Sequence, residues 1–467
     1  MNHYSIYIKP LKNEQASVSC FWRNDPEVWK FTGKRPDKEI TQEIEQEWLE
    51  KVLKEPNSKR FGIWAGEKYI GNVQLTGIIE GQAAEYHIFI GEKDFWGKGI
   101  AKLATLQILR FARHDLKLNE VFLKVNVHHH SAIKLYKSCG FCEQGEENGW
   151  LNMKINFSES DFAPKLSVFM MTYNHGLFLK EALDGILEQQ CAFDFEIVIG
   201  DDFSTDNTRS IIDQYSMEYP GKFKFLLHAK NIGAYQNQNA VFEACEGEFV
   251  ALCEGDDYWD DPYKLQKQVD FLETHPGYVL SFHEVEKIDP SGKPLDQAVL
   301  GKVRWKDLSR EQLIAGDLVP SVSAVFRGKH LKEFLSIQAE VKNGDTFLFA
   351  ILGQYGKAHF HSDIKPAKYR IHGGGVWSGS NAKSRIESQI VTFEVLSKVI
   401  QQKFLSLVNR VLLEKYLTQI TKYDYQKLLK AKQYFSLWRF AFLTRQSILL
   451  FKIHFYFLVN KSKLNRG

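Results

Sequence analysis

Long apolar runs alternate with amphipathic stretches through the middle of the chain. Lys165-Leu166-Ser167-Val168-Phe169-Met170-Met171-Thr172-Tyr173-Asn174 reads as a buried strand, and Phe178 to Leu187 has the spacing of an amphipathic helix behind it. A second strand, Phe195-Glu196-Ile197-Val198-Ile199-Gly200, ends in Asp201-Asp202-Phe203-Ser204-Thr205-Asp206, and a third run, Phe249-Val250-Ala251-Leu252-Cys253, leads into Glu254-Gly255-Asp256-Asp257-Tyr258-Trp259. Strands alternating with helices predict a parallel sheet with crossovers, whose ligands lie beyond the carboxyl ends of the strands. Both acidic clusters fall at such ends.

The first third of the chain has a different rhythm. Gly71–Leu75 and Ala84–Gly91 read as paired strands, Phe95-Trp96-Gly97-Lys98-Gly99-Ile100-Ala101 opens a helix, and Val121–Val125 forms another strand ahead of Ser131–Phe141. After Ser378 the apolar positions Ile390, Phe393, Leu396, Val399 and Ile400 return at helical spacing.

The chemistry sits in these turns. Three carboxylates, Glu254, Asp256 and Asp257, lie within four residues, and oxygen-only ligands suit Mg²⁺ or Mn²⁺ with positions left open for phosphates. Alone, an Asp-Asp pair of this kind is more often an acidic turn capping the helix that starts near Pro262. The loop at Gly97, Lys98 and Gly99 is an anion site if its N–H groups and the helix dipole face a pyrophosphate, or a tight turn if they do not.

Neighbouring motifs decide between these alternatives. The opening Ser167–Asn174, the Asp-Asp-x-Ser turn at Asp201–Ser204, the Glu-Gly-Asp-Asp-Tyr-Trp box and Tyr369-Arg370-Ile371-His372-Gly373-Gly374-Gly375-Val376-Trp377-Ser378 together resemble the inverting nucleotide-sugar glycosyltransferases of family 2, with the GT-A fold. That resemblance implies that Asp202, with Asp201, bonds the donor's base. It implies that Glu254 lies at the ribose, that Asp256 and Asp257 hold the metal, and that His372 is a further metal ligand and Arg370 a phosphate donor. Lys342-Asn343-Gly344-Asp345-Thr346 stands where the family's base opens a helix, which makes Asp345 the expected base for the acceptor hydroxyl. Inverting displacement needs no protein nucleophile, because the metal offsets charge on the departing diphosphate.

Residues 6–157 resemble the GNAT acetyltransferases, on the glycine loop and the strand-helix order that follows it. The resemblance implies acetyl-CoA bound at Gly97, Lys98, Gly99 and Ala101, Tyr136 as proton donor to the leaving thiolate, and Glu85, or else His87, as base for an amine. Trp96 and His129 depart from the family's usual residues. The expected fold class is α/β: an N-terminal GNAT-like mixed α+β domain over 1–157, a linker at 158–164, a GT-A (Rossmann-like) α/β domain over 165–378, and a helical, basic and aromatic C-terminal region over 379–467.

Composition supports this division. At 467 residues the chain exceeds what one core usually supports, and a net charge of +3 gives no electrostatic case for nucleic acid. Six scattered cysteines suggest reduced thiols, and no leader is evident at the N-terminus, so the expected location is cytoplasmic. From Tyr425 onward there is no Asp or Glu among the Lys, Arg and aromatic residues, a composition that suits either peripheral contact with anionic lipid or packing in a dimer. The expected partners are a UDP- or dTDP-sugar, a glycan or lipid-linked acceptor, and an amine, an amino sugar above all. The alternatives are a non-catalytic GNAT-like binding module and acetylation of protein amines.

Overall fold

A computed structural model describes residues 4–31, 37–157, 163–295, 305–337, 341, 343–374 and 381–422. The chain divides into two compact units, one of residues 1–232 and 240–267, the other of residues 233–239 and 268–467.

In the first unit, seven strands form the N-terminal sheet: β1 (Ile6–Pro10), β2 (Lys59–Ala65), β3 (Lys68–Ile79), β4 (Ala83–Ile90), β5 (Glu120–Asn126), β6 (Cys142–Glu147) and β7 (Trp150–Asn156), in the order β1-β2-β3-β4-β5-β7-β6. Neighbours are antiparallel except β4 and β5, which run parallel and pair only where Ala83–Glu85 meets Glu120–Phe122. Beyond that rung the two strands continue without pairing, leaving a fork with backbone groups on both arms. Helices α1 (Ala16–Asn24), α2 (Gln42–Val52), α3 (Ile100–Arg110) and α4 (His130–Ser138) accompany the sheet. Ile100, Ala104 and Ile108 recur every four residues, so α3 turns one apolar face into the core that holds Val73, Leu75 and Tyr86.

Four parallel strands follow: β8 (Leu166–Thr172), β9 (Phe195–Asp201), β10 (Phe223–Leu227) and β11 (Phe249–Leu252), ordered β10-β9-β8-β11. β9 and β11 are buried along their whole length, which explains why they read as continuous apolar runs rather than alternating ones. Helices α5 (Leu179–Leu187), α6 (Thr208–Glu218) and α7 (Ala234–Ala244) supply the crossovers. From β8 the chain steps outward to β9 and β10, then returns to the other side of β8 as β11. The crevice of a doubly wound sheet therefore opens at the carboxyl ends of β8 and β11.

Beyond α8 (Lys264–Thr274), the second unit pairs β12 (Tyr278–His283) antiparallel with β14 (Val325–Arg327) and parallel with β15 (Lys357–His361). β13 (Val285–Ile288) pairs with β16 (Ala367–Arg370). Its helices are α9 (Arg310–Ile314), α10 (Leu331–Ser336), α11 (Gly344–Gly353), α12 (Ala382–Val399) and α13 (Leu405–Lys422). Residues Phe347–Gly353 of α11 are all buried, so this helix is core on every side after its first turn. The helical character expected after residue 379 is present in α12 and α13. The acid-free tail from Tyr425, with the membrane or dimer contact expected of it, lies outside the described residues, as does most of the 158–164 linker. Among the described residues no helix is long and apolar enough to cross a membrane.

Candidate active sites

The end of β8 is the hinge of the first site. Its Thr172 carbonyl accepts the Asp202 N–H at 3.1 Å, and its Met171 carbonyl accepts the Gly255 N–H at 3.0 Å. One strand end thus ties together the two acidic turns that are far apart in sequence. Gly255 is required by closeness: a Cβ there would lie 2.9 Å from His175 Nδ1 and 3.0 Å from Thr172 Oγ1.

Within the first turn, the fully buried Asp201 accepts Arg209 Nε at 2.6 Å and the Ser204 N–H at 3.1 Å. Asp202, 4 % exposed, accepts the Ile232 N–H at 2.6 Å. Asn174 and Phe203 hold the turn with left-handed backbones, φ 56° and 65°. Such a conformation is strained for a bulky residue and is typical of ligand clamps. Asn174 meets the strain by accepting the Thr205 N–H at 2.8 Å, whereas the Phe203 ring stays exposed with the Arg209 guanidinium over it at 5.4 Å.

In the second turn Asp257 is buried and its N–H returns to the Glu254 carbonyl at 3.2 Å. Asp256 lies beside His175, with Oδ1 and Nδ1 separated by 3.9 Å and both side chains largely shielded. That distance exceeds a hydrogen bond, yet two ligand atoms each about 2.1 Å from one ion can be that far apart. A carboxylate and an imidazole at this spacing can share one divalent ion, and the imidazole is the ligand type that favours a transition metal over Mg²⁺. Behind the turn, Lys264 is buried with its ammonium 4.1 Å from the Trp259 ring, and burial pulls its pKa down to about 7. His175 carries no motif position in the sequence reading. The signal available was its place just past a strand end, three residues after Thr172.

The other expected residues of this function lie in the second unit. Asp345 sits in the first turn of α11, half-buried, with one oxygen accepting the Thr346 N–H at 2.6 Å. Burial raises its pKa above the ordinary carboxylate value, which suits a proton acceptor. Arg370, at the end of β16, is buried and donates Nη1 to the carbonyls of Asp289 and Pro290, 3.2 Å each. His372 follows it and accepts the Gly374 N–H at Nδ1.

The N-terminal sheet presents its own site at the fork between β4 and β5. Gly97 and Gly99 take φ values of 72° and 79°, and Gly99 is the N-cap of α3, so the loop enters the helix N-terminus through two left-handed residues that glycine permits. Lys98 extends over the rings of Phe95 and Tyr4, at 5.3 and 5.6 Å, and the Ala101 carbonyl accepts Thr105 Oγ1 inside the helix. Glu85 is the last paired residue of β4 before the fork, half-exposed, with His87 Nε2 3.7 Å from its carboxylate. His87 also meets Thr76 Oγ1 at 3.0 Å, and burial lowers its pKa. Tyr136, on α4, packs edge-on against Tyr86 with its pKa raised by burial, a phenol held in its protonated form. His129 caps α4 and stacks on Phe31 at 4.3 Å.

Comparison with known proteins separates the two halves in the same way. Residues 5–142 match the acetyltransferase (GNAT) domain family, and residues 167–334 match glycosyl transferase family 2. An uncharacterised protein of Mycobacterium tuberculosis is 36 % identical over 221 residues, 47 % of this chain and 62 % of that protein. An uncharacterised glycosyltransferase of Nostoc is 40 % identical over 134 residues, 29 % of this chain and 40 % of its own length. The poly(ribitol-phosphate) beta-N-acetylglucosaminyltransferase of Staphylococcus aureus is 32 % identical over 117 residues, 25 % of this chain and 20 % of its own length. The chain thus spans less than two thirds of each of these relatives.

Proposed function

We propose that this chain, which joins a GNAT acetyltransferase domain to a family 2 glycosyltransferase domain, is a bifunctional transferase of bacterial surface-polysaccharide assembly. Its second domain transfers a sugar, with inversion, from a nucleoside diphosphate donor, UDP or dTDP by preference, to a hydroxyl of a glycan or lipid-linked acceptor. Its first domain acetylates an amine from acetyl-CoA, an amino sugar being the substrate that makes the fusion useful. The division 1–157, 158–164, 165–378 and 379–467 is the working domain scheme.

The observation that carries the sugar-transfer reading is the joining of both acidic turns to the end of β8, with Asp256 and His175 spaced to share one ion. In this scheme Asp202 bonds the base, braced by Asp201 and Arg209, while Glu254 faces the ribose. Asp256 and Asp257 would hold the divalent ion, which when bound supplies positive charge against the leaving diphosphate. His372 and Arg370 complete the diphosphate end, and Asp345 takes the acceptor proton. In the first domain the loop of Gly97, Lys98, Gly99 and Ala101 cradles the pyrophosphate, Glu85 receives the amine proton, and Tyr136 protonates the departing thiolate. The name of the staphylococcal relative, a poly(ribitol-phosphate) glycosyltransferase, supports a polymeric acceptor for this chain.

The test is diphosphate release from a panel of UDP-, dTDP- and GDP-sugars with Mn²⁺ and a glycan acceptor. Asp345→Asn should bind the preferred donor as the wild type does and lose turnover. Unchanged turnover would remove Asp345 from the reaction. A second reading, of the first domain as a binding module, draws on His129 stacked on Phe31 at the cap of α4. Acetyl-CoA binding without thiol release on any amine, sugar or protein, would favour it.

A further inference from the structure

The helix that opens at the glycine loop ends inside the other domain. Arg110, the last residue of α3, is 4 % exposed and forms a bidentate pair with Asp194, which immediately precedes β9. Its Nε donates to the Gly221 carbonyl at 3.1 Å. One turn earlier, Gln107 accepts the Ile8 N–H at 3.1 Å and donates to the Pro220 carbonyl at 3.3 Å.

The contact is shaped as well as charged. A Cβ on Gly221 would stand 2.3 Å from the Gln107 carbonyl oxygen, and its φ of 69° already favours glycine. Along β1 and its approach, Ser5 Oγ donates to the carbonyls of Glu188 and Gln189 at 3.1 Å, and Lys9 Nζ meets Glu218 and Tyr219, each at 3.0 Å. Lys222, fully enclosed, donates to the Phe195 carbonyl at 2.6 Å beneath the Tyr7 ring. A cavity at this seam, beside Asp194 and Lys222, holds about 10 Å³, room for one water at most.

Buried, hydrogen-bonded charge of this kind belongs to a built interface and not to two domains joined by a flexible tether. We propose that the α3–β1 edge of the acetyltransferase domain is a dedicated docking surface for the sugar-nucleotide domain, and that the two open and close as one cooperative unit. α3 then carries the acetyl-CoA loop at one end, and its other end is clamped at the foot of β9, the strand that leads to Asp201 and Asp202. This ligand assignment rests on the function proposed above; the docking itself does not.

Native-state hydrogen exchange of the full chain in increasing urea tests it. Peptides covering 100–110, 195–201 and 219–223 should open together, with one common urea dependence. Arg110→Met should raise the opening constant of 195–201 and 219–223 at least tenfold, and the paired change Arg110→Met with Asp194→Leu should recover most of that loss. Lys9→Met, a milder cut at the same seam, keeps the comparison available if Arg110→Met does not fold. Separate urea dependences for 100–110 and 195–201 in the wild type would overturn the proposal. Added coenzyme A should slow exchange at 195–201 as well as at 97–110. Slowing at 97–110 alone contradicts coupling, and no slowing anywhere with common opening intact contradicts the acetyl-CoA reading instead.

Discussion

Gly185→Ala probes how rigidly α5 supports the acidic box. A Cβ at this position would lie 2.7 Å from the Trp259 carbonyl oxygen and 3.3 Å from its N–H nitrogen, both backbone atoms that no side-chain rotation can clear. Restoring ordinary contact near 3.4 Å moves helix and loop apart by about 0.7 Å. Overpacking of this size costs about 1–3 kcal/mol, while alanine in place of a helical glycine returns about 1 kcal/mol. The net stability loss should be small, about 1 kcal/mol, worth ~2 °C in a chain of this length. The effect on the site should be larger, because Trp259 lies two residues after Asp257, a proposed metal ligand, and metal–ligand distances hold to about 0.2 Å. Calorimetric titration of UDP with Mn²⁺ should therefore show at least a roughly tenfold loss of affinity, and the metal dependence should weaken with it. A variant that is more stable than wild type and binds UDP with Mn²⁺ unchanged would refute the claim that this backbone contact sets the carboxylates.

Asp201→Ala should cost about 1.5–3 kcal/mol in urea melts, because the charge-assisted bond to Arg209 is lost from a fully buried site. Phe203→Ala should leave the melt nearly unchanged and weaken nucleotide binding by about 1–3 kcal/mol if its exposed ring stacks on the base; unchanged binding would place the base elsewhere. With its pKa raised by burial, Asp345 must lose its proton to act, so transfer should fall as pH drops through a value above the ordinary 3.8, and a rate that stays level through that range would remove Asp345 from the proton transfer. Lys222 and Lys264 have folded pKa values near 7 against 10.5 when exposed, so between these the unfolded chain binds more protons and stability should rise with pH. Lys222→Met should flatten that rise in melts run from pH 7 to 10.

Three strands of the parallel sheet were legible because burial on both faces makes them unbroken apolar runs, and β8, β9 and β11 fall within a residue or two of the expected limits, whereas the half-exposed β10 was not. Their acidic ends were legible because parallel topology places ligands there. The short strands of the second unit were not, since three or four residues such as Val325–Arg327 hold too little pattern to signal a strand. His175 and Arg209 escaped for another reason. Arg209 reaches back across the turn to the end of the preceding strand and His175 has a partner distant in sequence, so only folding brings each beside its carboxylate. Arg110 and Asp194 are the same case on a larger scale, two charges 84 positions apart in sequence that meet in the seam. A flexible tether and a docked pair read alike in the chain, whereas the close approach at Gly221 and the buried Arg110–Asp194 pair distinguish them in the fold.

The central claim is a metal-dependent nucleotide site at the end of β8, and calorimetric binding of UDP, dTDP and GDP with and without Mn²⁺ tests it directly. One nucleotide should bind only with the metal present, and Asp256→Ala should abolish that binding without lowering the melting temperature by more than a few degrees. Binding that ignores both the metal and the substitution, or no binding of any nucleotide by a folded wild-type chain, would contradict it.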